Sequence, residues 1–303
     1  MKRGILCALL LMLLAASAVF AQSTTYKFAD RDTCSLYMDV YQPTAESNRC
    51  CVVVVFGGGF IEGARNLEFY VEYAKMLAAK GYTVACIDYR LGLKGANMRG
   101  IQMVYSLDKA IKMAVEDLFS ATEYLIAHAG ALGFDKDKIV LSGSSAGAIT
   151  VVQGDYELCN RSELAKNLPA DFHYAGVMSF SGAIFSHNGA LKYKEQPAPT
   201  FIMHGMNDRL VTYKSIRFGK MGFFGGKPQI RRFEKFGYPY LAYRYKGLGH
   251  EVATLMLHNI DICDWFIKHY VFNRENMQQD ATVNDATIKP VKWGRMKAGD
   301  LYD

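Results

Sequence analysis

The sequence predicts an α/β fold in which a mostly parallel, eight-stranded sheet carries helices on both faces. Three observations point there. Between residues 22 and 273, short β-branched apolar runs alternate with longer helix-compatible stretches, the pattern of successive strand–helix–strand units. Several of those runs are apolar throughout, as strands buried on both faces must be. A chain of 303 residues, 50% hydrophobic and 21% charged, also supplies enough apolar side chains for one large domain, which excludes a disordered, fibrous or multi-pass membrane chain.

The elements follow in chain order. Met1, Lys2 and Arg3 make a short basic start, residues 5–14 an apolar run, and residues 15–21 a small-residue stretch with Val19 and Ala21 suited to a cleavage site. This predicts a signal peptide over 1–21 and a periplasmic or secreted location, because the apolar run falls well short of the roughly 20 residues that a membrane span needs. No stable membrane insertion is expected, and Cys7 lacks the small residues that precede a lipoprotein cysteine. Residues 26–29 suit an antiparallel edge beside a strand at 36–41, and further strands are expected at 51–56, 82–88, 138–142, 175–179, 200–204 and 241–245. Helices are expected at 67–80, 107–132, 146–156, 215–236 and 252–270. The domain then spans 22–275, and 276–303 is a polar tail that either wraps the surface or stays unstructured. The insertions at 92–103 and 217–226 are too short for a large cap domain.

Without Lys2 and Arg3 the net charge falls from +6 to +4. No arginine-rich run is available to track a phosphate backbone, so nucleic acid is not an implied partner. Six cysteines follow the leader, Cys34, Cys50, Cys51, Cys86, Cys159 and Cys263, and their spacing is not a zinc pattern. In an oxidising compartment one or two disulfides at most are expected. Cys34 and Cys50 flank expected strands, and closing that loop would add roughly 3 kcal/mol. Cys51 and Cys86 fall in central runs and read as buried thiols.

The chemistry lies in the turns after the strands. Residues 138–142 lead into Gly143-Ser144-Ser145-Ala146-Gly147 and then directly into a helix-compatible segment. That order puts Ser145 on a sharp, strained turn with its hydroxyl standing clear, while the flanking glycines let strand and helix approach. A second signal is Gly57-Gly58-Gly59 after 51–56, where residues without Cβ atoms let a loop aim its N–H groups into a site. The alternatives are a Gly/Ser loop without chemistry and a tight structural turn.

Together with Asp39-Val40-Tyr41-Gln42-Pro43, Asp88-Tyr89-Arg90-Leu91 and Asp117, these motifs make the chain resemble the α/β-hydrolase family, specifically its carboxylesterase-like members. The resemblance covers nearly all of 22–270. Phe56 stands where the bacterial H-G-G-G form has histidine, which is closer to the Y-G-G-G-F version of the much longer type-B carboxylesterases. The resemblance implies a single α/β-hydrolase domain that requires no metal or organic cofactor.

This fold orders its triad as Ser, Asp or Glu, His. The turn from His204 through Asp208 to Val211 looks like the family's H-G-x-x-D-x-x-V acid turn, and Gly247-Leu248-Gly249-His250 follows the next strand. Ser145 is therefore the expected nucleophile, His250 the base and Asp208 the acid, with Gly58, Gly59 and Ala146 as oxyanion donors and Gly57 able to replace one of them. Asp117 reads as a residue that fixes local loops. Phe60, Phe223 and Phe224 are the candidate substrate-binding residues, the alternative being that the two in the insertion pack in the core. The expected substrate is a small-molecule or carbohydrate-linked carboxylic ester. Rival readings are a serine peptidase of prolyl-oligopeptidase type and a non-catalytic binding protein on the same scaffold.

Overall fold

A computed structural model describes residues 22–97, 99–291 and Tyr302. The signal peptide expected over 1–21 and most of the tail beyond 291 lie outside the described residues. In chain order the elements are β1 (Ser23–Arg31), β2 (Cys34–Tyr41), β3 (Cys51–Val55), α1 (Glu68–Ala78), β4 (Thr83–Ile87), α2 (Ile101–His128), β5 (Ile139–Ser144), α3 (Ala146–Cys159), β6 (Gly176–Phe180), β7 (Ile184–Ser186), β8 (Thr200–Gly205), β9 (Ser215–Phe218), β10 (Met221–Phe224), α4 (Gly226–Phe236), β11 (Tyr240–Tyr245), α5 (Ile260–Phe266) and β12 (Gln278–Val283).

The apolar runs become the middle of a nine-stranded sheet ordered β1-β2-β4-β3-β5-β6-β8-β11-β12. β2 is antiparallel to both of its neighbours, and every pairing from β4 to β12 is parallel. The chain steps one way from β3 to β4 and the other way from β4 to β5. Right-handed crossovers therefore put α1 and α2 on opposite faces. α1 packs with α5, and α2 packs with α3. The reversal leaves the C-terminal ends of β3 and β5 side by side, the place where open α/β sheets bind ligands.

The sheet has one strand more than the eight expected, because the polar tail contributes β12 in parallel register with β11, Tyr240 opposite Gln278 through Tyr245 opposite Val283. The helix expected over 215–236 is a helix only from Gly226. Its first half is a hairpin, β9 and β10, that joins β7 in a separate three-stranded sheet. Gly219 at φ +61° makes the turn, a conformation that ends any helical run there. The last expected helix is likewise broken into 3-10 turns at His250–Thr254 and Leu257–Asn259, then α5, then a π-helical stretch at Ile267–Phe272.

Cys34 and Cys50 are not bridged, and all six described cysteines are free thiols. Cys34 opens β2 beside the hairpin to β1, whereas Tyr41, at the other end of β2, pairs with Val84, next to the Thr83 that faces Cys51. The two sulfurs therefore stand at opposite ends of the sheet, separated by roughly 20 Å of strand. Buried carboxylates tie the outer elements together. Asp117 is fully buried and pairs with Arg31 at 2.9 Å, accepts the Arg90 amide at 2.8 Å and pairs with the Arg90 guanidinium at 2.9 Å. Arg65 is clasped between Asp39 at 2.9 Å and Asp88 at 2.7 Å. No helix among the described residues is long and apolar enough to cross a membrane.

Asp155 in α3 is buried, and among the described residues its hydrogen-bond donors are the Ala198 amide at 3.2 Å and the Cys159 thiol at 3.8 Å. Burial raises its pKa from 3.8 to about 7, against the smaller lowering effect of those donors. The folded protein therefore holds a proton that the unfolded chain gives up, and the associated stability is lost as the pH rises through about 7. Asp155→Asn, which cannot ionise, should show a smaller fall in Tm between pH 5 and pH 8 than the parent, measured by thermal melts at both pH values.

Candidate active site

The turn between β5 and α3 forces Ser145 to φ +53° and ψ −116°. Its amide donates to the Phe180 carbonyl at 2.9 Å on the neighbouring strand, which anchors the turn to the sheet. The glycines on either side are required by contact. A Cβ on Gly143 would lie 2.4 Å from the Gly147 carbonyl, and one on Gly147 would lie 2.0 Å from the Val55 carbonyl oxygen. Both distances are impossible for real side chains, so strand and helix meet at this spacing only with glycine at the two positions.

Asp208 sits just after β8, where its Oδ1 accepts the amides of Leu210 at 2.9 Å and Val211 at 3.0 Å. His250 sits after β11, one strand over, and its Nδ1 lies 2.7 Å from Asp208 Oδ2. On its other side His250 Nε2 lies 2.7 Å from Ser145 Oγ. All three residues are buried. Burial alone would raise the Asp208 pKa, but hydrogen bonds and charge interactions with His204 and His250 outweigh it and bring the group down to about 2. An ionised carboxylate can only accept, so His250 Nδ1–H donates to Asp208, and the free Nε2 lone pair accepts the Ser145 hydroxyl. The structure thus brings together the three residues that the motifs single out.

The glycine triplet lies beside this group. Tyr70 Oη accepts the Gly57 amide at 2.6 Å, so Gly57 is already committed, and the amides of Gly58, Gly59 and Ala146 are left as candidate donors. The loop is packed from behind by Phe56, whose ring stacks on Tyr89 at 4.3 Å. Four further side chains support the site. His204 Nε2 lies 2.9 Å from the Val211 carbonyl and 3.4 Å from Asp208. Glu251 accepts the Gly249 amide at 2.7 Å, bracing the loop just before His250. Ser144 Oγ donates to the Ala253 carbonyl at 2.7 Å and meets the Tyr302 hydroxyl at 2.6 Å. His204 was visible within the acid turn. Tyr302, in a polar tail, carried no signal.

The three candidate substrate-binding aromatics fare differently. Phe60 is 1% exposed with its ring edge-on to Tyr89, and Phe224 is 2% exposed in the main core. Phe223 is half-buried and packs against the same core. β10 alternates its side chains across the small sheet, which turns Phe224 inward. A cavity of about 1020 Å³ borders Asp208, Arg209, Tyr213, Ile216, His250 and Glu251, and neither Ser145 nor these three aromatics line it.

Residues 38–184 match the family model described as BD-FAE. Over 133 residues the chain is 28% identical to gut esterase 1 of Caenorhabditis elegans, covering 44% of this chain and 22% of that protein. Over 117 residues it is 30% identical to acetylcholinesterase 4 of Caenorhabditis briggsae, covering 39% and 18%. The chain spans about a fifth of the length of these relatives. Among solved structures, esterase 2 of Thermogutta terrifontis in its tabun-phosphoramylated form superposes with a TM-score of 0.62 at 21% identity, over 84% of this chain and 96% of that one. The propionate-bound form gives a TM-score of 0.58 at 19% identity over 84% and 96%. The chain has an α/β-hydrolase fold.

Phe224→Ala should act on stability, at roughly 3–5 kcal/mol for a buried aromatic. Phe223→Ala should lower the melting temperature by clearly less. Paired thermal melts of the two variants decide it, and equal losses would contradict the inward orientation of Phe224.

Proposed function

We propose that the protein is an exported serine hydrolase that cleaves carboxylic esters through an acyl-enzyme. The observation that carries this reading is the unbroken hydrogen-bonded line Ser145 Oγ to His250 Nε2 to Asp208, both steps 2.7 Å, in a buried site. Similarity to proteins named as esterases supports it. Export rests on the basic, apolar and small-residue pattern of residues 1–21.

In this reading His250 Nε2 takes the Ser145 proton as Oγ attacks the ester carbonyl, and Asp208 stabilises the imidazolium without itself taking the proton. With its pKa near 2, Asp208 stays ionised throughout the pH range in which imidazole chemistry operates. The amides of Gly58, Gly59 and Ala146 receive the charge that develops on the carbonyl oxygen, each such donor being worth roughly 10²–10³ in rate. His250 then protonates the departing alcohol oxygen, and water repeats the attack on the acyl-enzyme to release the acid and restore Ser145. The substrate class is a small-molecule or carbohydrate-linked ester. The strained Ser145 backbone belongs to the same account, since it holds Oγ at the tip of the turn before any substrate arrives.

Ser145→Ala and His250→Ala should each lower turnover of p-nitrophenyl acetate by roughly 10⁴–10⁶, because the members of such a relay act as a unit. Asp208→Asn should lose roughly 10³–10⁴, since an amide favours the wrong imidazole tautomer. Circular dichroism should show all three folded. Full turnover by Ser145→Ala would remove the nucleophile assignment, and faster release from an aminoacyl-p-nitroanilide than from the ester would make the protein a peptidase.

A further inference from the structure

The space beside Ser145 is filled by a side chain from the far end of the chain. Tyr302 is buried, 8% exposed, with its ring centroid 5.3 Å from that of Phe69 and 5.4 Å from that of Tyr70 on α1. Its hydroxyl reaches Ser144 Oγ at 2.6 Å. Ser144 spends its own proton on the Ala253 carbonyl, so the phenol is the donor in that contact. The hydroxyl also stands over the first glycine of the triplet, where a Cβ on Gly57 would lie 2.1 Å from it. The side chains of Tyr70 and Ser145 lie near it as well.

These contacts locate the ring relative to the reaction. Ala253 belongs to the 3-10 turn that begins at His250, so the Tyr302–Ser144–Ala253 line runs along the histidine side of Ser145. A leaving alcohol must lie on that same side, because His250 Nε2 delivers its proton.

We propose that Tyr302 is a specificity-determining residue: its ring fills the pocket for the alcohol half of the ester, so that esters of small alcohols fit beside it and esters of bulky alcohols react only by displacing it. This rests on the ester-hydrolase reading above.

The test holds the acyl group at acetyl and compares ethyl acetate with 2-naphthylmethyl acetate, two esters of alkyl-type alcohols that differ mainly in bulk. The quantity read is the ratio of kcat/KM for the naphthylmethyl ester to that for the ethyl ester. Tyr302→Ala should raise this ratio at least tenfold over the parent, and Tyr302→Leu, which keeps apolar packing against Phe69, should raise it by at least threefold if the alanine protein fails to fold. Tyr302→Phe keeps the ring and should leave the ratio within threefold. A parallel series of ethyl esters with acyl groups from acetyl to octanoyl should keep its parental ratios in the alanine and leucine variants. An unchanged alcohol ratio in folded variants, or a gain confined to the acyl series, overturns the proposal while parental turnover upholds the hydrolase reading. Should the parent hydrolyse no ester and resist labelling of Ser145 by a fluorophosphonate, the hydrolase reading fails and this proposal with it.

Discussion

Ser145 holds a backbone conformation that costs a non-glycine residue of order 1–3 kcal/mol, and much of the surrounding architecture is what keeps it there. The turn is pinned on one side by the hydrogen bond from the Ser145 amide to the Phe180 carbonyl and on the other by the seat of Gly147 against the Val55 carbonyl. β3 and β5 must therefore be neighbours before the turn can form, and their adjacency comes from the crossover order of the sheet. The glycine triplet, which follows β3, and Ser145, which follows β5, end up beside each other for the same reason. Local strain and global topology support each other here, as expected of a minimally frustrated sequence.

Asp208 and His250 add a second dependence. Each follows a parallel strand, β8 and β11, and their meeting distance is inherited from the spacing of those strands. What the loops contribute is polarisation. Two backbone amides, His204 and His250 all favour the ionised form of Asp208 in a place where burial opposes it. Farther out, the Asp39–Arg65–Asp88 clasp and the Asp117 cluster brace the strands and loops next to the triplet. These pairs use the charged positions of the motifs that first suggested the family, which gives those motifs a structural role beside the chemical one.

The parts of this arrangement legible in the sequence were those whose signal is local. A run such as Cys51 to Val55, all of it buried, can hardly be anything but a central strand, and Gly143 to Gly147 carries its turn in five letters. Asp208 and His250 followed from chain order. The rest depended on partners distant in sequence. β12 has no apolar periodicity, because an edge strand needs only the backbone of β11 to form. The β9–β10 hairpin falls inside the helix expected over 215–236 because its turn rests on one residue, Gly219 at φ +61°, and its strands on pairing with β7 earlier in the chain. Phe60 and Phe224 suggested a pocket by their position in the chain, but their rings turn into the core. Tyr302 illustrates the extreme case, since nothing near it in the sequence marks a tyrosine that reaches Ser144 across 158 positions.

The two rims of the sheet are its most polar strands. β1 and β12 expose most of their residues, while β3, β4, β5, β6 and β8 are buried at every position. A free rim on any of those apolar strands would be a template for another chain, with open N–H and C=O groups next to hydrophobic side chains. β12 contributes little apolar surface, but it seals the backbone of β11, where Leu241 and Ala242 are fully buried. The polar tail thus acts as a selvedge: a strip that adds little to the strength of the cloth but stops its edge from joining to a neighbour.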